Sequence, residues 1–362
     1  MQIDLNARSM FNQDNESVEI MEMNAGQHGE PGRFSRRCWP GLSLRLLTAC
    51  VLMSLVSCVS SSKTPKLLLT DHQLVGKIWD VEQQAFLDQD MLVARMLDSD
   101  YLLLGERHDN PVHHQHQSWA IKQLANNGRK ASVAFEMIDS DQGARLAEQK
   151  MTSTEQLIAE LNLSKTGWDY ENRYKTLFAE VIDAGYSIDS ANLNRRKLMD
   201  IIMQGEDELP EVYQRMLDVT PLSAEQMNAS QQEIIQSHCG MLDEKSSTSM
   251  VLGQRLRDAV MADSLLSSQQ PVKVLIAGAG HVRTDRAVPL YLTTNLKQQG
   301  RDDRILAIGM IEVDSSETDP DAYSEPWGSE TLPFDIVWFT PQVKRSDMCK
   351  QLKQHFKKKS DS

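Results

Sequence analysis

The sequence predicts an α/β domain in which a mostly parallel sheet is flanked by helices and carries an all-helical insert or cap. Apolar runs of strand length, nearly continuous rather than alternating, indicate strands that are buried on both faces. Helical patterns lie between these runs, which is typical of a parallel sheet. Residues 195–270 are rich in methionine and glutamine and contain no convincing strand, so this stretch predicts the helical insert.

Six segments fit buried strands: Tyr101–Gly105, Ser132–Met137, Tyr186–Ser190, Val272–Ala277, Ile305–Val313 and Phe334–Thr340. The helix after the first strand begins with Asn110 as N-cap and Pro111 in the first helical position, and Gly128 ends it. Tyr174–Ala184 carries apolar residues at helical spacing and stops before a glycine, which predicts a second helix. The acidic, proline-containing stretch 314–333 predicts a long loop.

The N-terminal part of the chain predicts a leader and a signal peptide. Residues 1–32 are acidic and polar, which indicates an unstructured leader or a wrongly assigned start. A basic stretch precedes the apolar run Leu46–Ser57, which at about twelve residues is too short to span a bilayer. Residues 33–57 are therefore predicted to be a signal peptide.

Cys58 follows a small residue at the end of the apolar run and resembles the cysteine of a bacterial lipobox. This predicts a lipoprotein that is acylated at Cys58; the alternative is an ordinary signal peptide with an incidental cysteine. Val59, rather than aspartate, favours the outer membrane, facing the periplasm, by analogy with enteric bacteria. Residues 58–74 then form a lipidated tether, 75–345 the α/β domain and 346–362 a basic tail.

The composition excludes nucleic acid as a partner. The formal net charge is −13, and the sequence has no basic stripe apart from lysines near its end. Beyond Cys58 only Cys239 and Cys349 remain. These two cysteines could pair in an oxidising compartment, but the sequence leaves that question open.

Polar side chains follow four of the predicted strands at the point where each strand ends. Glu106 and His108 follow the first strand, Glu136 lies at the end of the second, Asn192 follows the third and His281 the fourth. Ligands of open α/β sheets bind at this edge, so we expect these groups to converge in one crevice. Two imidazoles and a carboxylate suit zinc, manganese or iron, and they suit acid–base chemistry equally well.

The helix after the first strand brings two more histidines toward this edge. Helical spacing places His113 on the face that packs against the sheet, with His114 beside it. Each histidine has a plainer interpretation, because an imidazole near a strand end is often only a hydrogen-bonded core group. Glu136 is a stronger candidate, since a buried carboxylate requires a partner.

A family resemblance rests on five stretches: Gly105–Asp109, Phe135–Met137, His238–Gly240, Gln254–Ala262 and Ala277–Val282. Together with the lipobox they resemble the ChaN-like lipoproteins of the haem-binding-uptake/Tiki superfamily, which also includes erythromycin-esterase-like hydrolases and Tiki metalloproteases. The resemblance covers roughly residues 75–345.

The resemblance implies an envelope lipoprotein that binds haem in iron or haem uptake. In that family haem is held in a homodimer, with a tyrosine as iron ligand and a histidine of the partner subunit near the propionates. Tyr174 and Tyr170 are the candidates for the iron ligand, and His113, His114 and His238 are further candidates for haem contact. Phenolate is a hard anionic ligand that favours ferric haem. The alternative for Tyr174 is a core aromatic at the start of a helix.

The other branch of the superfamily implies a different function. Its Tiki-like members use two Gly-x-x-His motifs and a glutamate for metal-dependent hydrolysis, which His108, Glu136 and His281 match, with Glu106 beside them. A hydrolase that uses these residues as a divalent-metal site or as acid–base groups is therefore the alternative. A third interpretation is an envelope scaffold that keeps the fold and binds nothing.

Overall fold

The computed structural model of the protein describes residues 65–147, 151–161, 168, 170–204, 209–347 and 349–350. These residues fold around a central sheet. The predicted leader, signal peptide, acylated Cys58 and most of the basic tail lie outside these residues. No helix in the described part is both long and apolar enough to cross a membrane.

Ten strands occur in the described ranges: β1 (Leu67–Leu68), β2 (Ile78–Asp80), β3 (Ala85–Leu87), β4 (Tyr101–Glu106), β5 (Ala131–Asp139), β6 (Ser187–Asn192), β7 (Val272–Gly278), β8 (Ile305–Glu312), β9 (Ile336–Thr340) and β10 (Gln342–Val343). The helices are α1 (Gln89–Asp98), α2 (Pro111–Asn126), α3 (Ser140–Ala147), α4 (Thr154–Leu161), α5 (Tyr170–Arg173), α6 (Lys175–Asp183), α7 (Arg195–Gln204), α8 (Glu211–Val219), α9 (Ala224–Ser237), α10 (Glu244–Ser267), α11 (Ala279–Val282) and α12 (Val288–Gln298). The segment predicted as a long loop contains a 3-10 helix, Pro320–Trp327.

Eight strands form the main sheet in the order β3-β2-β9-β8-β4-β7-β5-β6. The neighbours from β9 to β6 run parallel, and each was predicted from its apolar run. The mostly parallel α/β fold is therefore confirmed. The β2–β3 hairpin, which adds antiparallel strands at one edge, was not predicted because each of its strands has only three residues.

The order of the strands creates the crevice at the carboxyl end of β4. The chain leaves β4 toward β5 and β6, returns to place β7 beside β4, and then builds β8 and β9 on the other side. Connections that diverge in this way leave a gap above the strand ends. Glu106 lies level with Gly278 in this register. Gly105 permits the close approach of the next segment, since a Cβ there would lie 3.0 Å from the Cα of Ala279.

The segment between β6 and β7 is helical where it is described, as α7 to α10, in agreement with the predicted insert. Its longest helix, α10, packs against the sheet through residues that include Leu256, Ala259 and Met261. A disulfide joins Cys239, just after α9, to Cys349 near the end of the described chain. This bond resolves the question that the sequence left open.

Candidate functional site

The carboxyl ends of the central strands open into a cleft of about 590 Å³. This volume lies within the usual range of small-molecule sites. Glu106, His108, Glu136 and His281 all line it, so four of the five residues predicted to converge are present. The fifth, Asn192, is not among the lining residues and lies behind Glu136. The helical insert closes the opposite side and contributes Asp258.

Glu106 holds His108 at the exit of β4. The Nδ1–H of His108 donates to Glu106 Oε1 at 2.7 Å, and the Tyr174 hydroxyl donates to the same oxygen at 2.5 Å. On the other carboxylate oxygen, His114 Nε2 lies 3.2 Å away but outside hydrogen-bond geometry. Burial alone would raise the pKa of Glu106, but the nearby His114 imidazole and the hydrogen bond from His108 hold that pKa well below its ordinary value.

Glu136 lies between two imidazoles. A register shift in β5 after Phe135 lifts Glu136 out of the ladder with β6, and the Asn192 side chain donates to the Glu136 carbonyl at 3.0 Å. The Gly278 N–H donates to Glu136 Oε2 at 2.7 Å. His108 Nε2 lies 3.6 Å from Oε2 and His281 Nε2 lies 3.7 Å from Oε1. The carboxylate therefore faces both imidazole Nε2 atoms without binding either at hydrogen-bond distance.

His281 is held from the other side by a residue that sequence reasoning missed. Its Nδ1–H donates to Asp258 Oδ1 at 2.7 Å, and both residues are buried. Burial alone would lower the pKa of His281, but the facing carboxylates of Glu136 and Asp258 raise it above its ordinary value. The available signal for Asp258 was a carboxylate directly before the apolar stretch Ala259–Ala262, which is buried.

His113 and His114 lie behind the cleft wall rather than on it. The backbone N–H of Arg107 donates to His113 Nδ1 at 2.8 Å, so His113 Nε2 carries the proton and lies 2.8 Å from Thr340 Oγ1. Burial keeps the pKa of His113 well below its ordinary value, which makes this imidazole neutral. His114 packs against Tyr174, with ring centroids 4.4 Å apart. These histidines support the loop that carries His108.

The candidates for haem contact outside the strand ends are dispersed. Tyr174 is 0% exposed and precedes α6 as its N-cap residue, with its hydroxyl on Glu106. Tyr170 begins α5, and its side chain lies outside the described part of the structure. His238 is the C-cap residue of α9 and is buried, with Nδ1 2.8 Å from the carbonyl of Ile234. None of these three assignments is tested by the geometry, and each stays a prediction.

The donor set of the cleft is suited to the iron of a haem group. His108 and His281 both direct Nε2 into the cleft, and imidazole is an established axial ligand of haem iron. In contrast, no group of three or more histidine, cysteine or acidic side chains in the described ranges has the geometry to hold a bare metal ion.

Comparisons with known proteins give a family and a fold. A family described as haem-binding uptake, Tiki superfamily, ChaN matches residues 92–292, just over half of the chain. A structure described as cofacial haem binding to ChaN of Campylobacter jejuni aligns with a TM-score of 0.57 at 22% identity, over 74% of this chain and 97% of that one.

Two other solved structures align with lower TM-scores. An erythromycin esterase mutant, EreC, in its open conformation aligns at 10% identity with a TM-score of 0.37, over 72% of this chain and 95% of that one. The type III effector HopBA1 aligns at 13% identity with a TM-score of 0.36, over 70% of this chain and 93% of that one. No curated protein matches the sequence significantly.

Proposed function

Because the chain belongs to the ChaN family of the haem-binding-uptake, Tiki superfamily, we propose that it binds haem in the cleft at the carboxyl edge of the sheet. Haem is then cargo, taken up or passed on in iron acquisition. The proposal extends to an envelope lipoprotein that is anchored through Cys58 in the outer membrane, faces the periplasm and acts as a homodimer.

The observation that carries the proposal is the pair of imidazoles on the cleft floor. His108 and His281 have their Nδ1 atoms occupied by buried carboxylates, which leaves both Nε2 atoms directed into the cleft. A carboxylate behind a histidine fixes the orientation of the ring and increases the basicity of the opposite nitrogen. Either Nε2, once it is unprotonated, is therefore oriented to bind iron.

Binding of the haem iron by Tyr174 would require the loss of a hydrogen bond. Tyr174 gives its proton to a hydrogen bond with Glu106, so its oxygen would have to leave a buried carboxylate before it reached iron. Titration of the purified chain with haemin distinguishes the two modes, since ferric tyrosinate and imidazole complexes differ in their absorption spectra. A Soret band unchanged in Tyr174→Phe would favour the imidazoles; a shifted band would favour Tyr174.

The experiment that tests haem binding in this cleft uses two neighbouring glycines. A Cβ at Gly278 would lie 3.0 Å from His108 Nε2 and 3.5 Å from Glu136 Oε2, whereas a Cβ at Gly280 meets nothing within 4 Å. We expect Gly278→Ala to weaken haemin binding by about tenfold, because it displaces His108 in the way that loss of an orienting partner does. Gly280→Ala is the matched control: Gly280 also lines the cleft, but the added methyl leaves His108 and Glu136 in place, so binding should be weakened less than in Gly278→Ala. No saturable Soret shift in the wild type, or equal affinities in all three proteins, would contradict the proposal.

One observation favours a second candidate, a hydrolase. Two imidazoles with carboxylate partners flank Glu136, an arrangement suited to general acid–base chemistry on an ester or amide. Glu136→Gln separates the functions. A hydrolase that uses Glu136 as its base should lose its activity, whereas haemin binding through an imidazole should persist. Hydrolysis that is present in the wild type and absent in the variant would establish the second candidate.

A further inference from the structure

Asp258 stands apart from the strand-end groups because it reaches the cleft from the helical insert. It lies on α10, is 4% exposed, and is followed along the helix by the buried apolar residues Ala259, Val260 and Met261. A carboxylate is costly to bury without a compensating partner. Its Oδ1 meets His281 Nδ1 at 2.7 Å. The contact therefore joins the insert to the strand exit that carries His281.

The contact between Asp258 and His281 has the same geometry as the contact between Glu106 and His108 on the other side of the cleft. Glu106 Oε1 meets His108 Nδ1 at 2.7 Å, as Asp258 Oδ1 meets His281 Nδ1. The two Nε2 atoms then approach the two different oxygens of Glu136, at 3.6 and 3.7 Å. Glu106 and His108 are two residues apart, whereas Asp258 comes from a separate helix. Two unrelated pieces of chain thus present an imidazole to the cleft in the same way.

The carboxylate of Asp258 determines which nitrogen of His281 carries the proton. An ionised carboxylate only accepts hydrogen bonds, so it selects the form of histidine in which Nδ1 carries a proton. Nε2 of His281 is then the nitrogen available to the cleft, and its direction is fixed by a hydrogen bond behind the ring. Without Asp258 the ring would be free to exchange tautomers or to rotate.

We propose that Asp258 is a positioning residue of the cleft: it holds His281 with Nδ1 protonated and Nε2 directed at the ligand. The functional part of this inference rests on the proposed binding of haem. The arrangement of the imidazole itself does not, because it belongs to the protein before any ligand arrives. The helical insert is accordingly part of the binding site and not only a cover over it.

The test is imidazole ¹⁵N NMR of the full, haem-free chain at neutral pH, with the His281 signals assigned from a His281→Gln sample. The wild type should show a protonated Nδ1, and Asp258→Asn should shift that signal toward the unprotonated position. The matched control is Asp263→Asn on the same helix, since Asp263 does not line the cleft. It should leave the His281 signals unchanged. An unprotonated Nδ1 in the wild type, or an unchanged signal in Asp258→Asn, would overturn the proposal.

Haemin titration of the same three proteins supplies the second measurement. We expect Asp258→Asn to weaken binding by about tenfold, as loss of a histidine's orienting partner does, while Asp263→Asn binds normally. Altered ¹⁵N signals with unaltered affinity would show that Asp258 orients His281 without serving the ligand, which overturns the functional part. A wild type that binds no haemin would refute the proposed function, while the NMR result would still decide how Asp258 acts on His281.

Discussion

Replacing Tyr174 with phenylalanine tests how much the hydrogen bonds to Glu106 stabilise the folded protein. The substitution removes one oxygen atom from a fully buried ring and leaves its packing against Phe178 in place. Glu106 keeps the hydrogen bond from His108 at 2.7 Å but loses the one from Tyr174 at 2.5 Å. The Tyr174 hydroxyl also lies 3.3 Å from His108 Nδ1. The change in stability therefore measures mainly the shorter hydrogen bond, which is made to a buried carboxylate.

Hydrogen bonds to charged groups contribute about 1.5–3 kcal/mol, and neutral ones about 0.5–1.5 kcal/mol. His108 still satisfies one Glu106 oxygen in the variant, so we expect Tyr174→Phe to lower the free energy of unfolding by about 2 kcal/mol. Tyr186→Phe is the control, because the Tyr186 hydroxyl donates to a neutral carbonyl, that of Arg129, at 2.7 Å. Its loss should be about 1 kcal/mol or less. Urea unfolding at pH 7 measures both values, provided that the slope with urea is unchanged.

The pH dependence of the stability lost in Tyr174→Phe tests this account of Glu106 more strictly. The folded-state pKa of Glu106 is depressed, so its stabilising contribution is fully present above the unfolded pKa, about 4.3 for glutamate, and is lost as pH falls through the folded pKa. The penalty of Tyr174→Phe should therefore stay constant from pH 7 to about 5 and shrink at lower pH. A penalty no larger than that of Tyr186→Phe, or one that grows toward acid, would refute this account of Glu106.

Two further predictions concern cysteines. Cys58→Ala should abolish incorporation of labelled palmitate and move the protein from the membrane fraction to the soluble fraction of the native cells; unchanged labelling would exclude Cys58 as the lipid anchor. Cys239→Ser should lower the free energy of unfolding by about 2–4 kcal/mol, because the bond to Cys349 closes a loop of 110 residues. Dithiothreitol should produce the same loss in the wild type and none in the variant. Equal sensitivity of both proteins to the reductant would show that the bond contributes nothing.

The parts of the fold that could be predicted from the sequence are those governed by local pattern. Buried parallel strands are apolar along their whole length, so β4 to β9 could be located. The convergence of His108, Glu136 and His281 also followed, because parallel strands place their carboxyl ends on one edge whatever their separation in the chain. The prediction needed only the position of each polar residue relative to its own strand.

Contacts between separate elements did not follow from these rules. Helical spacing placed His113 on the sheet-facing side of α2, which is where it lies, but could not show that Thr340 occupies the space in front of it. The same spacing could not distinguish a histidine that lines the cleft from His114, which stands one layer behind Glu106. Distances of a few ångströms decide between these outcomes, and periodicity specifies a face of a helix only to within tens of degrees.

The hydrogen bond of Tyr174 illustrates why the assignment of a ligand is harder than the location of a cleft. A phenol beside a carboxylate in a buried site has two chemical uses: it stabilises the anion by donating a proton, or it loses that proton and binds a ferric ion. In this structure the Tyr174 hydroxyl donates a hydrogen bond to Glu106 at 2.5 Å. Iron could compete only by repaying the loss of a charge-assisted hydrogen bond, whereas His281 Nε2 would give up only its longer approach to Glu136, at 3.7 Å. Under the proposed binding of haem, we therefore expect an imidazole to be its first contact, with Tyr174 holding the carboxylate that orients His108.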